Sequence, residues 1–244
     1  MNRSILTGVM ALVLAGASGC SSLRIKPGDQ IVAMGDSITQ AGGYLRVIDA
    51  VFAQQYPDMK IPRIINAGIS GEKAEDMVKR FERDVIARNP NIVTISVGIN
   101  DVWHRMDRPH DPAVLEEYSR NVDRMVVMAQ ETGARVILLS PTVIEEKPGA
   151  EGNQRLKLYI QAGQEIARRR KADYVNLHEM FLEEIEKRDR QRAAGASESA
   201  GPLTTDGVHM TAEGDKLMAL GVLRALGVPD EKVRATDLSG VFGK

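Results

Sequence analysis

A serine, an aspartate and a histidine of this chain have the types needed for one reaction: Ser37 in Gly35-Asp36-Ser37, and Asp206 and His209 in Asp206-Gly207-Val208-His209. A hydroxyl, an imidazole to take its proton and a carboxylate to orient that imidazole can transfer an acyl group through a covalent intermediate. Asp206 and His209 are three residues apart. On one helical turn their side chains would face each other, leaving one ring nitrogen for Ser37. Two further segments are Asn66-Ala67-Gly68-Ile69-Ser70-Gly71 and Gly98-Ile99-Asn100-Asp101. They offer a backbone N–H at Gly71 and a side-chain amide at Asn100 to a developing oxyanion. Each residue also has a plainer use. Ser37 would cap a helix, Gly71 would supply a positive φ, Asn100 would make an Asx-turn, and Asp206 would cap a turn. His209 alone reads as a packed or exposed histidine. Their occurrence in chain order, each where a strand gives way to a loop, favours the catalytic use.

The elements that must position them are read from hydrophobic patterning. Ile31–Met34, Arg63–Asn66, Ile92–Ser96, Val136–Ser140 and Tyr174–Asn176 are short apolar runs, expected as buried parallel strands. Tyr44, Val47, Ile48, Val51 and Phe52 recur at helical spacing. A helix entered at Asp111-Pro112 runs through Tyr118, Val122 and Met125 to a cap at Gly133. Leu156 to Ile166 mark another helix, and a last one starts near Thr211. This alternation predicts one doubly wound α/β domain, a three-layer sandwich with helices on both faces of a parallel sheet. Ligands of such sheets bind outside the carboxyl ends of the strands. Ser37, Gly71 and Asn100 follow the first, second and third strands, so all three reach that edge.

On these four segments the chain resembles the SGNH (GDSL-like) hydrolases, from Ile31 to about Leu226. The resemblance implies a flavodoxin-like five-stranded sheet of order 2-1-3-4-5 and assigns roles at the site. Ser37 is the nucleophile and, through its N–H, an oxyanion donor with Gly71 and Asn100; His209 is the base and Asp206 its partner. Met210 stands where the family commonly has proline, a position that does no chemistry. Gly98-Ile99-Asn100-Asp101-Val102-Trp103, with Phe81-Glu82-Arg83-Asp84-Val85, looks like the acetyl esterases of xylo-oligosaccharides and other plant glycans. That likeness implies a serine esterase removing O-acetyl groups from carbohydrate. The alternatives are a lysophospholipase or thioesterase, and a non-catalytic glycan-binding protein. Asp36 and Trp103 are candidate substrate contacts. Trp103 either closes a small acyl pocket, stacks on a sugar face or sits in the core beneath its loop. His104, Arg105 and His110 are expected on a solvated loop, and Glu183 to Arg192 as a solvated helix face. The loops Pro141–Asn153 and Arg192–Thr205 are expected to shape the cleft.

The start of the chain reads as a leader. Met1-Asn2-Arg3 precedes the apolar run Ile5–Ala17 and Ala17-Ser18-Gly19-Cys20. This looks like a lipoprotein signal over residues 1–19 with Cys20 acylated, then a linker over 20–30, a hydrolase domain over 31–228 and a tail over 229–244. Ser21 after the cysteine favours the outer membrane and a periplasm-facing enzyme. Ala15-Gly16-Ala17 also fits ordinary signal cleavage, which would give a secreted protein. The 244 residues include 32 Lys and Arg against 33 Asp and Glu, which excludes a chain-wide basic surface for nucleic acid. Four histidines show no metal-ligand spacing, and serine hydrolysis needs no cofactor, so none is expected. One Trp, five Tyr and four Phe leave no aromatic-rich carbohydrate module.

Overall fold

The computed structural model describes residues 23–195 and 201–242, so the leader and Cys20 lie outside the described residues. Five strands, β1 Ile31–Gly35, β2 Ile65–Gly68, β3 Ile92–Ser96, β4 Arg135–Leu139 and β5 Asp173–Val175, form the sheet. Its order is β2-β1-β3-β4-β5 and every pairing is parallel, as the resemblance implied. Val32 stands opposite Ile65 on one side and Val93 on the other. β1 and β3 are buried at every residue, which is why they read as unbroken apolar runs and not as alternating ones.

Nine helices follow among the described residues: α1 Ser37–Ala41, α2 Gly43–Gln55, α3 Ala74–Asp84, α4 Ile99–Trp103, α5 Pro112–Glu131, α6 Glu151–Arg170, α7 Leu177–Ala193, α8 Ala212–Ala225 and α9 Asp230–Arg234. The long ones pack as two sets, α2 with α8 and α7, and α3 with α5 and α6, one set on each face of the sheet. Asp111 caps α5 by accepting the N–H of Ala113, and Thr211 caps α8 by accepting that of Gly214. Tyr44, Val47, Ile48 and Val51 of α2 are fully buried, as their spacing predicts. α3 carries Ala74, Met77, Val78 and Phe81 at the spacing of one helix face within a run of charges.

Three expectations change. Residues 23–30 do not hang free as a linker: Ile25 is buried, and the Arg24 N–H donates to Leu226 O at 2.8 Å. Nor is the C-terminal stretch a bare tail, since it carries α9 and packs Val241 and Phe242 against the core. Arg188 of α7 is buried, ion-paired to Glu184 at 2.8 Å and bonded to Gly201 O, so that helix face is not wholly solvated. Part of the Arg192–Thr205 loop, residues 196–200, lies outside the described residues.

Candidate active site

β1 ends at Gly35, and Asp36 caps α1 by accepting the Ile38 N–H at 3.0 Å. The capping carboxylate is thus one residue before Ser37, which leaves the Ser37 hydroxyl free as the first residue of α1. Asp36 is only 2 % exposed, so it supports the turn from beneath and does not face substrate, contrary to its reading as a contact. Burial pushes its pKa up to about 6, against the Ile38 N–H and the nearby His209, which lower it.

Ser37 Oγ lies 2.9 Å from His209 Nε2, and His209 Nδ1 lies 2.7 Å from Asp206 Oδ2. Asp206 Oδ1 accepts the N–H groups of Val208 at 3.0 Å and His209 at 2.8 Å. The little burial Asp206 has would raise its pKa, but these donors and the imidazole outweigh it and hold the carboxyl down to about 2. An ionised Asp206 keeps a proton on Nδ1, and Nε2 is then the acceptor for the serine hydroxyl. The two side chains face each other on a tight turn and not on a helix. Gly207 has φ +94, Thr205 N–H donates to His209 O at 2.8 Å, and Thr204 bridges Met210. The left-handed glycine and the Asp206 bonds to successive N–H groups close the chain back on itself.

Gly71, with φ +78, lies in the loop from β2 to α3, and Asn100 lies in the first turn of α4. Asn100 is buried, and its Nδ2 donates to Glu72 O at 3.0 Å, which fixes the plane of the amide. Beneath these turns sits a cluster the sequence reading missed. Arg80 of α3 is buried, pairs with Glu72 at 2.6 Å and Asp84 at 3.0 Å, and reaches Gly35 O at 3.4 Å. It therefore joins the turn that carries Ser37 to the loop that carries Gly71. Asp101 is also buried and accepts the Ala74 N–H at 3.3 Å; burial pushes its pKa up to about 7. Glu72, Arg80 and Asp84 sit in a stretch so charged that its sequence reads as a solvated surface.

Trp103 is half-buried and stands edge-on to His209, ring centroids 5.8 Å apart at 73°. That position puts it beside the serine–histidine pair, not in the core. His104 stacks next to it at 5.8 Å and lies near Gly71, its Cε1 3.9 Å from where a Cβ on that glycine would be. So His104, though exposed, flanks the oxyanion side of the site, whereas His110 is exposed away from these contacts. The loop after β4 does more than shape a cleft. The Glu145 N–H donates to Gly207 O at 2.8 Å, and Glu146 Oε1 accepts the Thr204 N–H at 2.6 Å and hydroxyl at 2.7 Å. Fully buried Asn153 pins that loop, accepting from Ile144 N–H and donating to Glu145 O and Lys147 O. Both Glu145 and Glu146 escaped the sequence reading, which had no means of pairing them with residues some sixty positions on.

The profile of the GDSL-like lipase/acylhydrolase family matches residues 33–217. Acetylxylan esterase of Geobacillus stearothermophilus is 27 % identical over 223 residues, 84 % of this chain and 97 % of the relative. Its crystal structure superimposes with a TM-score of 0.72, covering 85 % of this chain and 98 % of the other at 28 % identity. Catalytic mutants of that esterase carry alanine at a serine, at a histidine and at an aspartate three residues before the histidine. Esterase TesA of Pseudomonas aeruginosa is 29 % identical over 140 residues, 57 % of this chain and 64 % of the relative.

Proposed function

Since the chain belongs to the GDSL-like lipase/acylhydrolase family, we propose that it is a serine esterase that removes acetyl groups from carbohydrate and is held in the cell envelope by an acylated Cys20. The observation that carries the chemistry is the relay from Ser37 Oγ through His209 to Asp206, at 2.9 and 2.7 Å. Ser37 attacks the ester carbonyl while His209 Nε2 takes its proton. The N–H groups of Ser37 and Gly71 and the second N–H of Asn100 receive the oxyanion. His209 returns the proton to the departing sugar oxygen, then activates water to release acetate from Ser37. A relative named acetylxylan esterase, with a catalytic serine and a catalytic aspartate three residues before the catalytic histidine, supports both the roles and the acetyl–carbohydrate substrate. Trp103 against His209 supports a short acyl group, because a wall so near the base leaves little depth beside Ser37.

Kinetics on aryl esters test this. Ser37→Ala and His209→Ala should each lower kcat by about 10⁶ with the fold intact, and a fluorophosphonate should label Ser37. The wild type should turn over acetyl esters much faster than octanoyl esters. Near-normal hydrolysis by Ser37→Ala would sink the serine mechanism. An octanoyl preference would turn the assignment towards a lysophospholipase or thioesterase.

A further inference from the structure

We propose that the amino edge of the sheet is a membrane-facing surface for anionic phospholipid, which turns the catalytic edge away from the bilayer. This rests on the acylation of Cys20 proposed above. All five strands are parallel, so the molecule has two unlike ends. Ser37, Gly71 and Asn100 follow strands out of the carboxyl end. The chain enters at the other end. Arg24 pairs at 2.8 Å with Asp173, the first residue of β5, and Arg135, the first residue of β4, donates to Arg24 O. Further on, the Gly28 N–H reaches Met59 O at 2.9 Å and the Gln30 N–H reaches Asn91 Oδ1 at 2.8 Å, just ahead of β2 and β3. Residues 24–30 therefore run along the amino edge, fixed to it at several points.

That docking shortens the tether. Cys20 precedes Leu23 by three residues, and three extended residues span at most about 10 Å. A lipid on Cys20 thus holds the amino edge within roughly one Debye length, about 10 Å at 0.1 M salt, of the headgroups. Ser37 stands beyond the far end of β1, about 17 Å away at the rise of five strand residues.

The edge has the charge such a surface needs. Lys26, Lys60, Arg63, Arg88 and Lys171 are exposed on it, and none pairs with a carboxylate among the described residues. Asp58, Glu131 and Glu231 are the exposed acids near it, with half-buried Asp29 accepting the Lys26 N–H and half-buried Asp49 close to Arg63. The chain as a whole is near neutral, net −1, so this excess of exposed cations is local. A helix C-terminus accounts for Lys171, which caps α6. Lys26 and Arg63 lie just ahead of strands, where no helix dipole calls for a cation. Phosphatidylglycerol-type headgroups would answer all five.

The chain has a single cysteine, which acylation would block, so one fluorophore can be placed at will. We would label Lys26→Cys on the amino edge, or Lys147→Cys in the exposed loop after β4, in acylated full-length protein on phosphatidylglycerol–phosphatidylcholine vesicles. A headgroup-attached quencher should quench position 26 several-fold more than position 147. Replacing Lys60, Arg63 and Arg88 by Glu should narrow that difference while aryl acetate turnover stays unchanged. Equal quenching, or stronger quenching at position 147, overturns the proposal. Detergent partitioning separates the underlying reading: a wild type that stays aqueous, as Cys20→Ser should, removes the anchor. The same two labels on Cys20→Ser then decide the surface at low salt. Capture by phosphatidylglycerol vesicles, lost in the triple Glu variant, supports it, and no capture overturns it.

Discussion

Asp206 is ionised throughout the working range, held to about 2 by two backbone donors and the imidazole, yet 47 % of its side chain is exposed. Water can partly replace a carboxylate in such a place. Asp206→Asn should therefore cost about 10² in kcat, less than the roughly 10⁴ of a buried triad aspartate. Steady-state kinetics on an aryl acetate check this, and a loss as large as that of His209→Ala would show that the carboxylate is indispensable to the relay. Asn100 differs in being buried, with one amide hydrogen already committed to Glu72 O. Its other hydrogen is held in place before substrate arrives. Asn100→Ala should lower kcat by about 10²–10³ and leave KM nearly unchanged, as steady-state kinetics on an aryl acetate would show. An unchanged kcat would remove Asn100 from the oxyanion donors.

At the scale of elements, the His209 turn is held by the loop after β4 through the adjacent Glu145, by its backbone, and Glu146, by its side chain. Glu145 has φ 65, a left-handed conformation costly for a side chain of this size, and it persists where its N–H meets Gly207 O. Glu146→Ala releases Thr204 and lets the imidazole drift from Ser37. The expected loss is about 10² in kcat, the scale of a 1 Å misplacement, with little change in KM. Glu146→Gln, whose amide oxygen can accept from both Thr204 donors, should stay near the wild type. Equal damage in both variants would mean that the charge, not the bond, matters. The elements also divide by how far sequence reveals them. Buried strands carry unbroken apolar runs and α2, α5, α6 and α8 carry periodic apolar side chains, and solvent exclusion writes both patterns into the chain. The blocks around Ser37, Asn100 and His209 are legible because the chemistry restricts residue type. Arg80 with Glu72 and Asp84 was not legible, since a buried ion cluster has the composition of a solvated helix. Asp36 was misplaced for a related reason: a capping carboxylate and a substrate-binding one look alike beside a serine. Glu146 needed tertiary proximity to Thr204, which no local pattern encodes.

Across the whole molecule, two sets of carboxyls set opposing pH dependences. Asp84, Asp123 and Asp206 are held down to about 2, so their bonds contribute stability above the ordinary carboxylate pKa near 3.8 and lose it as pH falls towards 2. Asp36 and Asp215 are raised by burial to about 6 and Asp101 to about 7. Between about pH 4 and 7 the folded chain binds more protons at these three sites than the unfolded chain does. Stability should therefore decline as pH rises through that window and level off above it. The melting temperature should therefore peak near pH 4–5, between the two sets. The largest single share of the decline is that of Asp101, whose carboxylate is buried against the start of α3. Asp101→Asn keeps an acceptor for the Ala74 N–H and removes the ionisation. At pH 8 it should raise the melting temperature by about 2–4 °C, the equivalent of roughly 1 kcal/mol for a chain of this size. At pH 4.5, near the bottom of the titration, it should change little. Thermal denaturation of both proteins across this range checks the sign: a variant less stable than wild type at pH 8 would mean that the ionised Asp101 supports the start of α3 by more than its burial costs.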